Sequence, residues 1–166
     1  MFKVGDIVVY PAHGVAEVES VEEREISGST MSFFILKILD TQMTVMVPVI
    51  NVKNVGIRQL INKKGIEQVM DILKQRSVNI DNQTWNRRYR EYMEKIKSGS
   101  AYEIAEVLRD LNILKRGKEL SFGERKMYDT ARNLLVNEIS ISKKIDKKDA
   151  ERMILTAMGK IDTLPS

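Results

Sequence analysis

Thr84-Trp85-Asn86-Arg87-Arg88-Tyr89-Arg90 sets the only tryptophan of this 166-residue chain beside three arginines. Guanidinium groups hold phosphates. A flat apolar side chain at a helix start can be pressed against a base step, so the segment has the composition of a minor-groove wedge. A second reading stands beside it. Trp85, Tyr89, Tyr92, Met93 and Ile96 recur at helical spacing, which equally makes Trp85 the first knob of a buried stripe.

Other chemistry finds little to work with. His13 is the only histidine, in a Pro11-Ala12-His13-Gly14 stretch that reads as a turn between strands. Without a second imidazole or any thiol there is no triad and no transition-metal site, and no glycine-rich phosphate loop joins a strand to a helix. Carboxylates lie mostly on helix faces near cations, as Glu91 and Lys95 do at i,i+4 spacing. We therefore expect a non-enzyme with no catalytic residues, no metal or other cofactor, and no small-molecule substrate. A methyl-lysine cage needs several converging aromatics. The first half offers only Phe2, Tyr10, Phe33 and Phe34, the last two on opposite sides of a strand.

Composition sets the class. With 43% hydrophobic and 30% charged residues the chain should fold. The absence of cysteine rules out disulfides and suits a reducing cytoplasm. The start Met1-Phe2-Lys3-Val4-Gly5-Asp6 lacks the apolar run of a signal peptide, and no stretch is long enough to cross a bilayer, so a soluble cytoplasmic protein with no membrane partner is expected. The charge is unevenly divided. Residues 1–57 carry four basic and seven acidic side chains, a net −3, whereas residues 58–166 carry 23 and 16, a net +7. Only the second part has the field of a nucleic-acid binder, although a basic half can also be merely a solvated surface.

The elements that must position these residues change at the same place. Ile7–Tyr10, Val15–Val21, Phe33–Leu39, Met43–Val47 and Val52–Ile57 read as five short strands joined by tight turns, a small curled sheet or barrel. Pro48 cannot donate to a ladder and should lie at a strand end or sheet edge. From about residue 58 the period becomes helical. Ile66, Val69, Met70 and Leu73 form one stripe and the Trp85 segment the next, closing at Ser98-Gly99. Ser100 with Glu103 and Ser121 with Glu124 are capping boxes that open two further helices, and a last helix starts near Asp146 and ends before Gly159. The expectation is an α+β chain of two domains: residues 1–58, a five-stranded β domain, and residues 59–166, a basic all-α domain of about five helices.

Several motifs, spread in order over most of the chain, carry a family resemblance. Phe2-Lys3-Val4-Gly5-Asp6, Val8-Val9-Tyr10-Pro11 with His13-Gly14, Val45-Met46-Val47-Pro48 and Val55-Gly56-Ile57-Arg58 look like the CarD/CdnL family of bacterial transcription regulators. So do Trp85-Asn86-Arg87-Arg88-Tyr89, Ala105-Glu106-Val107-Leu108-Arg109-Asp110-Leu111 and Leu120-Ser121-Phe122-Gly123-Glu124-Arg125-Lys126. The resemblance is to the stand-alone CdnL type, without a long basic tail. It implies an N-terminal Tudor-like barrel that docks on the β subunit of the RNA polymerase holoenzyme. It also implies a helical part that meets promoter DNA at the upstream edge of the melted region, largely independently of sequence. The open complex would be stabilised, notably at ribosomal RNA promoters, and the protein would associate with the nucleoid through polymerase.

By the same resemblance the polymerase-docking surface includes Arg24 on a hairpin, Leu36, Met46 and Pro48. Some members carry arginine where Met46 stands, so a flexible apolar contact would replace a polar one. Period-2 counting leaves Leu36 and Met46 equally open to a place in the barrel core. Trp85 would be the wedge, with Arg87, Arg88 and Arg90 on phosphates. One helix cannot point all three the same way, so we expect one of Arg87 and Arg88 to be structural, with Arg87 the first choice for DNA. Arg125 and Arg132, seven apart on one face, and Lys143, Lys144, Lys147 and Lys148 would broaden the footprint, or else pair with Glu124, Asp129 and Asp146. The alternative function is a general nucleic-acid-binding or adaptor protein without polymerase contact.

Overall fold

The computed structural model describes residues 2–76 and 85–159, with Trp85 described by its backbone alone. The chain folds as two units, Met1–Leu60 and Ile61–Ser166.

The first unit is a five-stranded antiparallel sheet: β1 (Ile7–Tyr10), β2 (Gly14–Ile26), β3 (Ser29–Ile38), β4 (Thr44–Pro48) and β5 (Arg58–Gln59), in the order β4-β3-β2-β1-β5. The β2–β3 hairpin outruns the apolar segments that suggest it, because pairing continues to Ile26↔Ser29. Its two-residue turn, Ser27-Gly28, has φ of 50° and 82°, the left-handed pair of a type I′ turn whose twist matches that of the strands. The ladder therefore extends through Glu22–Ile26 without a buried face to support it. A bulge between Val18 and Ser20 leaves Glu19 unpaired and resets the alternation of β2.

The expected fifth strand, Val52–Ile57, is corrected. Val49–Asn51 forms a 3-10 turn, Val52–Val55 one turn of helix (α1), and the strand that pairs with β1 is only Arg58–Gln59. The cause is packing. Val52 and Ile57 are buried in the sheet's core with Val55 packed against it, and a helical turn puts Val52 and Val55, three apart, on one side. Gly56, at φ 87°, ends the turn in a conformation that a side chain would strain. The β preference of valine yields to these contacts. Among the described residues the strand count is still five. Val8, Ala16, Val18, Phe34, Leu36, Ile38 and Val47 complete the core.

Among the described residues the second unit contains five helices, as expected: α2 (Lys63–Lys74), α3 (Trp85–Lys97), α4 (Ala101–Gly117), α5 (Phe122–Lys143) and α6 (Lys147–Ala157). Their starts follow local chemistry. The Asn62 side chain accepts from the Gly65 N–H, Ser100 from that of Glu103, and Ser121 with Glu124 completes a reciprocal capping box. The stripes converge on one core that includes Ile66, Val69, Leu73, Tyr92, Ile96, Ile104, Leu108, Leu111, Leu135, Ile139 and Ile154. Each such aliphatic or aromatic side chain contributes about 1.5–3 kcal/mol by leaving water.

Polar contacts fix the unit's edges. A carboxylate oxygen of Glu138 on α5 accepts from the Ile61 N–H at 2.8 Å, and the Ser142 hydroxyl donates to the Ile61 carbonyl at 2.6 Å. The first residue of the helical unit thus has both main-chain groups satisfied by one helix. Arg76 donates to the carbonyls of Leu73 and Ala157, each at 3.0 Å, tying the ends of α2 and α6 together.

Candidate nucleic-acid interface

Trp85 is the first residue of α3, and its side chain lies outside the described residues. Arg88, Tyr92 and Ile96 recur every four positions, and Tyr92 and Ile96 are core residues. That stripe draws Arg88 inward. Its side chain is 15% exposed and lies 3.5 Å from the carboxylate of Glu124, which is itself 2% exposed. Of the three arginines, Arg88 is thus the one turned toward a buried carboxylate. Arg87, one position round the helix, is 70% exposed, 3.8 Å from Glu91. Arg90 is exposed as well. The i,i+4 pairing of Glu91 with Lys95 is replaced too, since Lys95 reaches Glu106 on α4 at 3.0 Å.

Glu124 organises the neighbourhood. Besides Arg88 it meets Lys118 Nζ at 3.2 Å and accepts from the Ser121 N–H at 2.9 Å. One buried carboxylate thus joins the first turn of α3, the α4–α5 connection and the cap of α5. Burial pushes its pKa up, but the hydrogen bonds from Ser121 and Lys118 outweigh burial and hold it below the usual carboxylate range. Deeper on α3, the Tyr92 hydroxyl donates to Asp110 at 3.4 Å. Burial, then the Asp110 charge, raise the phenol well above its ordinary range, so it stays a neutral donor.

Arg125 is exposed near the start of α5. With Lys115, Arg116, Lys118 and Arg132 it lines a groove between the end of α4 and α5. The structure thus brings Arg125 and Arg132 to one groove, as their spacing suggests, but leaves them electrostatically unequal. Arg132 is partly covered, 3.3 Å from Asp129 and 3.9 Å from Glu151, with its guanidinium 5.9 Å from the Tyr128 ring centre. Lys143, Lys144, Lys147 and Lys148 are exposed at the other end of α5, roughly 27 Å along its axis from Arg125.

In the sheet unit β4 stands at the edge of the described sheet, paired with β3. Met46 is 41% exposed on it, and Pro48, half-buried, ends it, where its missing N–H removes no ladder bond from a central strand. Leu36 is corrected. At 1% exposure its side chain is core and cannot meet a partner while the sheet is folded. Arg24 is exposed on the outer hairpin, 3.0 Å from Glu22.

Among the described residues no cluster of acidic or histidine side chains is arranged to hold a metal ion. No helix among them is long and apolar enough to cross a membrane. Reading the sequence for a binding face missed the anchor, Glu124, although the capping box had marked its position. Its pairing with Arg88 spans 36 positions, which no local pattern reveals.

Residues 2–61 match the family model described as the CarD-like/TRCF RID domain, and residues 68–155 match that of the CarD C-terminal domain. The chain is 34% identical over 148 residues to YdeB of Bacillus subtilis (strain 168), whose name marks it as a proposed transcription factor. The match covers 89% of this chain and 96% of YdeB. Two solved structures from Myxococcus xanthus are similar to part of this chain. The 72-residue N-terminal domain of CarD is 34% identical, covering 36% of this chain and 79% of that one, with a TM-score of 0.31. The structure titled CdnLNt is 43% identical, covering 38% and 89%, with a TM-score of 0.34.

Proposed function

This chain belongs to the CarD/CdnL family of transcription regulators, and from that premise we propose that its sheet unit docks on the RNA polymerase β subunit while its helical unit props promoter DNA open at the upstream edge of the bubble. The observation that carries the DNA half is the division of labour at the start of α3. Arg88 is spent on the buried Glu124, which fixes the first turn, and Arg87 and Arg90 remain exposed beside Trp85. A helix start so anchored presents cations to phosphates with little ordering left to do on binding.

The docking half rests on the β4 edge. An edge strand offers main-chain hydrogen bonds to a partner's strand, and exposed Met46 with Pro48 adds apolar surface, with Arg24 on the neighbouring hairpin. Tethering would let weak DNA contacts suffice by raising local concentration. Partial unstacking costs a few kcal/mol per step, least where the duplex already ends, so a wedge at a fork favours the melted state. Stacking of an aromatic on a base, worth about 1–3 kcal/mol, is enough to slow bubble collapse by roughly fivefold to a hundredfold.

The test is the lifetime of the open complex formed by the cognate holoenzyme on a ribosomal-type promoter, with no factor, the wild type and Trp85→Ala, polymerase binding being measured separately. We expect the wild type to lengthen the lifetime, and Trp85→Ala to bind polymerase while losing most of that effect. A wild type that binds polymerase yet leaves the lifetime unchanged overturns the wedge and leaves an adaptor. A chain that retains nucleic acid but not the β subunit is a general nucleic-acid binder.

A further inference from the structure

Phe122, the first residue of α5, is 84% exposed, the most exposed of the large hydrophobic side chains among the described residues. Helix-starting positions need no such residue: the Ser121 cap and the Glu124 side chain already satisfy the local backbone. Its surroundings are cationic. Arg125 and Lys126, three and four positions on, share its side of the helix, and Arg125 lines the groove that Lys115, Arg116 and Lys118 also line. The acidic groups nearby are mostly engaged or buried. Asp129 pairs with Arg132 and Glu124 is enclosed by Lys118 and Arg88, which leaves Glu119 as the exposed carboxylate of the α4–α5 connection.

The Arg88–Glu124 contact supplies the second observation. Arg88 stands one turn after Trp85, and Glu124 stands two residues after Phe122. Their 3.5 Å contact therefore binds the first turn of α3 to the first turn of α5. Each of these joined turns begins with an aromatic residue and carries an exposed arginine, Arg87 on one and Arg125 on the other.

We propose that Phe122 is a second nucleic-acid contact, which stacks on an unpaired base next to a DNA fork while Arg125 and Lys126 hold the adjoining phosphates. The inference rests on the DNA reading of the helical unit given above and deepens it. An exposed aromatic ring with two cations on its own side of the helix suits a single strand better than a protein surface. Every base offers a π face irrespective of sequence, and the phosphates match the surplus positive charge. A blunt duplex offers the phosphates but no unstacked face, so the contact distinguishes melted from closed DNA.

The experiment measures binding of the full chain to a forked duplex and to a blunt duplex of equal length at low salt, with 2-aminopurine in the unpaired arm to report stacking. Wild type, Phe122→Ala, Phe122→Leu, Phe122→Tyr and Trp85→Ala are compared. We expect Phe122→Ala and Phe122→Leu to lose about tenfold in fork affinity together with the 2-aminopurine quenching, Phe122→Tyr to retain both, and blunt-duplex affinity to stay unchanged. Thermal unfolding should be unaltered, since so exposed a side chain contributes little to the core. Equal fork binding by wild type and Phe122→Ala overturns the inference, as does retention of binding by Phe122→Leu or an equal loss on both DNAs. If Trp85→Ala still weakens fork binding in that case, the wedge reading survives and only Phe122 falls. If the wild type shows no preference for the fork and Trp85→Ala changes nothing, the DNA reading falls with it.

Discussion

The sheet unit and the helical unit present their surfaces by different means. In Met1–Leu60 the feature offered outward is topological: an edge strand, β4, and a long hairpin whose outer turns carry polar residues over no core. In Ile61–Ser166 it is a charge pattern, because buried carboxylates take up some of the arginines and leave others exposed. The difference teaches where a substitution should act. On the sheet, neighbours in the ladder separate core from surface. On the helical face, neighbours in the sequence do so, as Arg87 and Arg88 show.

The strongest challenge to that contrast is made at Leu36 and Met46, which lie on adjacent paired strands with opposite exposure. Leu36→Ala should cost about 2–5 kcal/mol by removing a buried side chain and leaving a cavity. Met46→Ala should stay within about 0.5 kcal/mol. Urea unfolding of both variants checks this, and a Leu36→Ala variant as stable as wild type would remove it from the core.

Glu124→Gln sharpens the helical side. Replacing a buried carboxylate that faces Arg88 and Lys118 leaves cations without their partner, at a cost of about 3 kcal/mol. The sign with pH follows from the lowered pKa. The unfolded chain binds the proton more readily than the folded one, so the stabilisation is fully present above the ordinary value of 4.5 and disappears as pH falls through the depressed folded value. Thermal melts from pH 6 downward should show wild type losing its advantage over Glu124→Gln as the carboxylate takes up its proton. A constant difference between the two across that range would contradict the lowered pKa.

Much of this architecture is legible in the sequence because local chemistry decides it. The Ser121 and Ser100 caps open α5 and α4, the stripe of Ile66, Val69 and Leu73 faces the core, and Pro48 ends an edge strand. What is not legible depends on partners distant in sequence. The valines of Val52–Val55 read as a strand until the sheet's core pulls Val52 and Val55 to one side of a helical turn. Leu36 and Met46 belong to similar apolar runs, and only the pairing of β3 between β2 and β4 separates them. The face of α3 could be restricted to one inward arginine by helical geometry, but the choice of Arg88 required Glu124, 36 positions away. Phe122 escaped notice because an apolar residue beside a capping box looks like part of the stripe that follows.

A smaller effect is expected at the β4 edge. Met46→Asp puts a charge onto the exposed face of the strand that we propose as the polymerase contact, and it should weaken capture of the β subunit by about tenfold, since an unpaired charge there must be desolvated on docking. The fold should tolerate it, as Met46 is not a core residue. Surface-immobilised β subunit with the purified full chain gives the comparison. Unchanged capture would move the docking surface off this edge and leave the helical unit's contrast standing alone.

The smallest change separates the two neighbouring arginines. Arg87 is 70% exposed, and its 3.8 Å approach to Glu91 is a surface ion pair, so Arg87→Ala should alter stability by no more than about 0.5 kcal/mol. If Arg87 holds one phosphate, its loss weakens DNA binding by a few-fold regardless of sequence and reduces the slope of log affinity against log salt by about 0.9. Arg87→Lys keeps the charge and should keep the slope. Arg88→Ala behaves oppositely, lowering the melting temperature by uncovering Glu124, with a salt slope unchanged wherever the fold persists. Titrations of forked DNA at four or five salt concentrations distinguish the two. An Arg87→Ala slope equal to wild type, or an Arg88→Ala slope reduced at full stability, would exchange the roles of these adjacent residues and turn the first turn of α3 the other way round.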